Sequence, residues 1–307
     1  MKRTLLFIAL IVSFLGSFTG LSKGKLQVVA TLPELGDLVR QVGGDLVEVD
    51  TIAKGTQDPH YLEAKPSFSV KLNRADLLVY SGLELEIGWL PLMVQGARNP
   101  KVIAGARGEL NASKALDRIL EVPTGNNVDR SQGDVHPLGN PHYLLDPRVG
   151  LKAANLIADK LKELDPANAA IYEQNLAAYE QKLNAKIAQW EKAAAPLKGL
   201  EVVGFHKMWE YLADWLGMKV VDYIENKPGI PASPQHKEEL IKMMQQKKIP
   251  LILIATYNPP HDAEEVARQT GAKVATIPAA VEGEPGVDSY FDMFDHILKE
   301  LLAASGK

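Results

Sequence analysis

Histidine side chains carry the most distinctive chemistry in this sequence of 307 residues. His60 stands in the segment Asp-Pro-His-Tyr just after a predicted strand, and His206 stands in Gly-Phe-His just after another. Ligands of open α/β sheets bind outside the carboxyl ends of strands, which is where both residues fall. Neutral imidazole is a common ligand of zinc and other first-row transition metals. The two positions therefore predict a metal site.

Two further histidines lie close together in the middle of the chain. His142 occurs in Asn-Pro-His-Tyr-Leu-Leu-Asp-Pro, a loop bounded by prolines that precedes a helix predicted over 148–164. Proline restricts the backbone of such a loop and so helps to fix the direction of the ring. We interpret His142 as a third ligand. His136, six residues earlier, is either a solvated loop residue or an auxiliary ligand.

An acidic residue near the C-terminus, Asp288, allows two interpretations. Its carboxylate could complete a metal site, or Asp288 or Ser289 could cap the last predicted helix, with Asp292 supporting the first turn. The local sequence leaves both open. The three remaining histidines are interpreted as surface or packing residues: His236, His261 and His296.

The elements that position these residues repeat in two halves. Short apolar strands alternate with amphipathic helices in each half, and the predicted strands are 26–30, 46–52, 76–80, 201–204, 219–224 and 250–255. This alternation predicts parallel sheets with helices on their faces. The fold class expected is therefore α/β, with two lobes.

A long helix is predicted between the halves. Asp165 suits the N-cap and Pro166 the first helical position, and no Gly or Pro follows until Pro196. The apolar stripe of this helix consists of Leu176, Tyr179, Leu183, Ile187 and Trp190. We expect an N-terminal lobe at 23–165, a linking helix at 166–195 and a C-terminal lobe at 196–307. A long helix packed inside one lobe is the alternative.

The N-terminus and the composition limit where the protein works. Residues 1–22 combine a positive start, an apolar run and small residues, as a secretory signal peptide does, although an uncleaved membrane anchor has a similar pattern. The chain has no cysteine, which excludes disulfides, thiolate ligands, cysteine nucleophiles and a lipid-modified cysteine. A net charge of −4 argues against nucleic-acid binding. We expect a periplasmic protein without a lipid anchor.

Four motifs in order resemble those of the zinc/manganese solute-binding proteins of bacterial ABC importers. The motifs are 58–63 with 72–77, 140–147, 204–206 and 286–290. The resemblance implies one buried metal between two lobes, held by His60, His142, His206 and Asp288, and delivery of that metal to a membrane permease. It also implies a monomer that is not an enzyme.

Three imidazoles and one carboxylate suit Zn²⁺, whereas Mn²⁺ prefers more oxygen ligands, so zinc is expected and a manganese-specific member of the family is the alternative. Two other classes of protein are less consistent with the sequence. A secreted zinc hydrolase needs an open coordination position, and the chain has no His-Glu-x-x-His motif. An adhesin needs exposed aromatic or repeated features, which the sequence does not show.

Overall fold

Two parallel four-stranded sheets form the framework of the protein. The computed structural model describes residues 24–123 and 133–307. The first sheet has the order β2-β1-β3-β4 and the second has the order β6-β5-β7-β8. The strands are β1 (Leu26–Ala30), β2 (Val47–Thr51), β3 (Leu77–Tyr80), β4 (Glu109–Asn111), β5 (Glu201–Gly204), β6 (Lys219–Tyr223), β7 (Leu251–Ala255) and β8 (Lys273–Ile277). The matching orders confirm the two-lobe α/β fold.

Helices connect the strands, as parallel pairing requires. In the described part of the chain they are α1 (Pro33–Gly43), α2 (Pro66–Arg74), α3 (Leu90–Ala97), α4 (Pro147–Leu164), α5 (Ala169–Ala193), α6 (Glu210–Leu216), α7 (Pro234–Lys247), α8 (His261–Thr270) and α9 (Tyr290–Ser305). Buried strands such as β7, with the sequence Leu-Ile-Leu-Ile-Ala, are apolar on both faces because helices cover both. None of the helices in these two ranges is long and apolar enough to cross a membrane.

The long helix α5 has 25 residues and begins later than the sequence predicts. Residues Pro166–Asn168 form a separate 3-10 turn. The side chain of Asp165 does not cap this turn; its Oδ2 accepts hydrogen bonds from Asn168 Nδ2 (2.7 Å) and from the Tyr172 hydroxyl (3.0 Å). Helical structure therefore begins at Pro166, as predicted, but its first turn is 3-10 rather than α-helical.

One apolar core continues through both lobes. Side chains of both sheets, α1, α4, α5 and α9 belong to the same cluster of buried residues. Tyr179, Leu183, Ile187 and Trp190 of α5 are buried in it, while Leu176 is partly buried against it. Two smaller clusters lie on the outer faces of the sheets, under α2 and α3 in the first lobe and under α7 and α8 in the second. The lobes are therefore joined by packing as well as by the chain.

The remaining boundary differences are local. The sequence pattern predicts a helix from His206 to Leu216, but α6 begins at Glu210, because 205–209 form a turn. The predicted signal peptide and its cleavage site, with the alternative of an anchor, fall outside the described residues.

Candidate metal centre

Four imidazole rings meet between the two lobes. The ring centroid of His60 lies 5.2 Å from that of His136, 5.2 Å from that of His142 and 5.3 Å from that of His206. The centroids of His142 and His206 are 5.9 Å apart. Ligand nitrogens of His60, His136 and His142 lie within 4.8 Å of one another, and His60 and His206 form a second such group with Asp134. Nitrogens at these separations can bind one ion.

His60 is held by a turn that the sequence Asp-Pro-His dictates. Asp58 Oδ1 accepts the backbone N–H of His60 at 2.9 Å and the ring Nδ1 at 2.6 Å. The Trp89 indole N–H donates to the Pro59 carbonyl at 2.8 Å and fixes the turn to the first lobe. The carboxylate occupies Nδ1, so Nε2 is the nitrogen that faces the other rings. The hydrogen bond and charge of His60 outweigh the effect of burial and lower the pKa of Asp58.

His206 is placed by a close turn after β5. A Cβ atom on Gly204 would lie 2.9 Å from Trp209 Cδ1, so glycine is needed where the chain leaves the strand. The backbone bond from Glu225 N to the Phe205 carbonyl (3.0 Å) brings Glu225 beside the ring, and Glu225 Oε2 lies 2.8 Å from His206 Nδ1. Burial alone would lower the pKa of His206, but the contact with Glu225 raises it.

His142 is buried beside the other rings. Asn140 Oδ1 accepts the His142 backbone N–H at 2.9 Å, and the Tyr143 hydroxyl donates to the Ser81 carbonyl at 2.7 Å, so the turn is fixed on both sides. The Nε2 atom of His142 is buried and has no hydrogen-bond partner. Burial, with the neighbouring rings, holds the pKa of His142 well below its usual range, which favours the neutral form that binds metals.

His136 joins the cluster from a segment that touches both lobes. Its Nε2 lies 3.1 Å from His60 Nε2. Asp134, two residues earlier, accepts the Tyr61 hydroxyl at 2.5 Å and donates its N–H to the Pro228 carbonyl at 2.8 Å. The segment therefore spans the cleft between the lobes and brings His136 to the other rings.

Asp288 does not lie with the imidazoles. Its side chain is exposed, while the neighbouring Val287 is fully buried. Ser289 caps α9, since its side chain accepts the Asp292 N–H. Ser289 therefore provides the cap, and Asp288 belongs to none of the groups of possible ligand atoms that the imidazoles form in the described part of the chain. The turn after β8 places the residue on the surface.

The other three histidines lie outside the cluster. His236 Nε2 is 2.8 Å from the Tyr223 carbonyl oxygen, and His296 Nδ1 is 3.0 Å from that of Asp292. His261 is exposed beside Asp262 and Glu265, and both carboxylates bind Lys237 Nζ. The Lys237 ammonium group therefore compensates one of the two negative charges of this pair.

The two carboxylates that orient the rings were not identified from the sequence. Asp146 and Glu63 lie near His142 and His60 in the sequence but have other surroundings. Asp146 caps α4 and binds the Arg148 guanidinium at 2.7 Å, and Glu63 is exposed at the mouth of the cleft. The Asp-Pro-His motif is a signal that could have identified Asp58, whereas Glu225 lies 19 residues from His206 and becomes its neighbour only through strand pairing.

Hydrogen bonds across the cleft hold the lobes together around the site. The Tyr290 hydroxyl donates to the Leu144 carbonyl at 2.6 Å, and its backbone N–H donates to Asp37 Oδ2 at 3.0 Å. Asn140 Nδ2 donates to Glu210 Oε2 at 2.7 Å. The cluster therefore sits in a closed interface.

Two α/β lobes with a cluster of metal-ligating imidazoles between them are typical of a substrate-binding protein. The family model described as "Zinc-uptake complex component A periplasmic" matches residues 28–304. The chain belongs to this family.

Named relatives agree on the class of protein. The chain is 30% identical to the metal ABC transporter substrate-binding lipoprotein FimA of Streptococcus parasanguinis, over 94% of this chain and 93% of that one. It is 28% identical to the manganese ABC transporter substrate-binding lipoprotein PsaA of Streptococcus pneumoniae, over 100% of both. A crystal structure of ZnuA superimposes with a TM-score of 0.75 at 22% identity, over 92% of this chain and 99% of that one.

The protein is thus the metal-binding, extracytoplasmic substrate-binding component of an ABC importer, and it is not an enzyme. A permease and a metal ion are its partners. The two Streptococcus relatives are named lipoproteins, whereas this sequence contains no cysteine.

Proposed function

We propose that the chain binds one Zn²⁺ ion through the Nε2 atoms of His60, His136, His142 and His206 and delivers it to the permease of its importer. The observation that carries this proposal is the convergence of four imidazoles, three from the first lobe and its loop and one from the second. His136 takes the fourth position, which the resemblance implies for Asp288. Asp58 and Glu225 orient two of the rings through Nδ1.

Zinc is favoured by the chemistry of the donors. Four nitrogen ligands suit tetrahedral Zn²⁺, while Mn²⁺ is better served by carboxylate and water oxygens. The two carboxylates that touch the rings supply negative charge, so the buried dication is compensated.

Manganese is the second candidate. The name of the PsaA relative specifies manganese. A Mn²⁺ cargo would require oxygen ligands in addition to the imidazoles.

The proposal extends to the mature protein. Residues 1–22 form a signal peptide that is removed, and the mature chain is a periplasmic monomer. Its lobes comprise 23–165 and 196–307, linked by 166–195. The pattern of a positive start, an apolar run and small residues in 1–22 supports the signal peptide.

Native mass spectrometry of the metal-free mature chain, with Zn²⁺ and Mn²⁺ in competition, tests the proposal. We expect one equivalent of zinc, and a loss of affinity of more than about tenfold in each of four variants, because each loses one ligand: His60→Ala, His136→Ala, His142→Ala and His206→Ala.

His261→Ala is the matched control, because it removes an imidazole that lies outside the cluster. Its affinity should equal that of the wild type. Preferential loading with manganese would contradict the zinc assignment, and a His206→Ala variant with undiminished affinity would remove the second lobe from the site.

A further inference from the structure

A narrow cavity adjoins the imidazole cluster on its inner side. Its volume is about 30 Å³, enough for one water molecule. His142 lines it from the first lobe, and Met208, Tyr257 and Ala279 line it from the second. The cavity therefore continues the metal site into the lobe interface.

A buried carboxylate opens onto this cavity. Glu34, in the first turn of α1, is 6% exposed and lines the cavity wall. The backbone N–H of Val281, in the second lobe, favours the charged form of this carboxylate, and Oε2 is buried and has no hydrogen-bond partner. His142 lines the same cavity, and its Nε2 atom is also buried without a hydrogen-bond partner. Two buried polar atoms without partners thus share one small space.

Among the described residues, the second lobe contributes no carboxylate to the lining of this cavity. The chain after β8 reads Pro278-Ala279-Ala280, and Ala279 and Ala280 line the cavity with methyl groups. A Cβ atom on Gly55 would lie 2.0 Å from the Val281 carbonyl oxygen, so this segment packs directly on the first lobe. Glu34 is the acidic residue that faces the space beneath it.

We infer that Glu34 acts as a specificity-determining residue, which holds a water molecule in this cavity as an additional ligand of the metal bound by His142. The inference rests on the proposed function. Buried polar groups require hydrogen-bond partners. A water molecule between Glu34 Oε2 and the ion would donate a hydrogen bond to the carboxylate and bind the metal through its own oxygen. Glu34 is a positioning residue here and does not touch the ion.

An oxygen ligand of this kind changes the ranking of metals. Water held by a carboxylate raises the coordination number above four and favours Mn²⁺ more than Zn²⁺, which is satisfied by four imidazoles. Glu34 would therefore allow this nitrogen-rich site to accept manganese as well as zinc. The cargo class is a divalent cation of either kind, with Glu34 setting the ratio.

Glu34→Gln tests the inference, because glutamine keeps the size of the side chain and removes the charge. We expect the Mn²⁺ affinity of the mature chain to fall about tenfold or more and the Zn²⁺ affinity to change less than about threefold. The visible absorption of bound Co²⁺ should become more intense in the variant, as the ion changes from five-coordinate to tetrahedral.

Asp37→Asn is the matched control. Asp37 is also a buried acid of α1, yet it does not line the cavity, and its Oδ2 accepts the backbone N–H of Tyr290. Its Mn²⁺/Zn²⁺ affinity ratio and Co²⁺ spectrum should match the wild type.

Equal losses for both metals in Glu34→Gln, or an unchanged Co²⁺ spectrum, would overturn the inference. A control variant that shifts the ratio as much as Glu34→Gln would overturn it too. Failure of the proposed function has a different signature: the wild type would bind neither metal, or His60→Ala would bind both as the wild type does.

Discussion

Each imidazole of the cluster depends on what its second nitrogen contacts. Asp58 and Glu225 hold Nδ1 of His60 and His206, so the rings cannot turn their metal-binding nitrogens away. Glu225 Oε2 also accepts the Gly229 backbone N–H at 2.8 Å, which fixes the carboxylate in turn. Glu225 therefore both orients the His206 ring and raises its basicity as a ligand.

Glu225→Gln should weaken zinc binding about 10- to 100-fold, because the neutral amide makes a poorer partner for the ligand imidazole. Competition with a chromophoric chelator measures the change. Glu63→Gln, an exposed acid near His60 in sequence, is the control and should leave the affinity unchanged. An equal effect of the two variants would show that only the overall charge of the cleft matters.

Glu34 should make the metal-free protein less stable as the pH rises. Burial raises the pKa of Glu34 from 4.5 to about 7, so the folded state binds this proton more tightly than the unfolded state does. The contribution is favourable below pH 4.5 and is lost between pH 4.5 and about 7, with a total of about 3 kcal/mol. Denaturant unfolding of the metal-free wild type and of Glu34→Gln at pH 4.5 and 7.5 measures it.

The wild type should lose stability relative to the variant over this interval. A free-energy difference between the two proteins that does not vary with pH would contradict the raised pKa. Groups that titrate in both proteins contribute equally to the two free energies of unfolding, so the difference reports on Glu34 alone.

The sequence was informative about individual ligands and much less so about their surroundings. His60, His142 and His206 stand out because each lies beside a strand end or between prolines, and the structure brings these three together. The position of His136 depends on contacts of Asp134 with both lobes, which no local pattern encodes. Near Asp288, the local signal for a helix cap is confirmed at Ser289.

At the scale of elements, the start of α9 depends on a side-chain cap from Ser289, and the neighbouring Asp288 takes no part in it. Ser289 Oγ accepts the Asp292 N–H at 3.2 Å and lies 2.6 Å from the Asp292 carboxylate, while Asp288 is exposed beside it. The following Tyr290 is fully buried at the lobe interface. The cap therefore fixes the helix that carries an interlobe contact.

Ser289→Ala should lower the free energy of unfolding by about 1 kcal/mol, because the first turn of α9 loses its side-chain cap. Urea unfolding measures this. Asp288→Ala should leave both stability and zinc affinity at wild-type values. A large loss of zinc affinity in Asp288→Ala would restore the ligand role that the family resemblance implies.

Strands and helices with strong patterns were predicted, and weakly patterned ones were not. The predicted strand at 26–30 matches β1, and β7 differs from its prediction by one residue. Strands β4 and β8 were missed: β4 has three residues with one buried, and β8 alternates between exposed and buried positions over only five. Such short edge strands form because a neighbouring strand offers hydrogen bonds, which is information that a linear pattern lacks.

At the scale of the whole molecule, the shared core limits how the lobes respond to metal. Packing continues from one sheet through α5 and α9 to the other, so a wide opening would expose buried apolar surface. The repeated strand-helix order predicted two lobes, but the continuity of their cores depends on which helix faces meet. That is a tertiary property.

Metal binding should therefore stabilise the protein without reorganising it. At a free zinc concentration a thousand times the dissociation constant, the gain is about 4 kcal/mol, seen as a higher thermal midpoint. Hydrogen exchange should show new protection in 133–142 and in 205–229, and little change in α5. Loss of protection across α5 in the metal-free protein would indicate a wide separation of the lobes instead.

The uninterrupted apolar interior also has a consequence for how cargo is surrendered. Separation of the two lobes would break a shared hydrophobic core. Release of the ion must therefore depend on movement of the loops that carry its ligands. We expect the permease to release the metal by displacing these loops, beginning with the one that carries His136. The two lobes stay packed together and can bind a further ion.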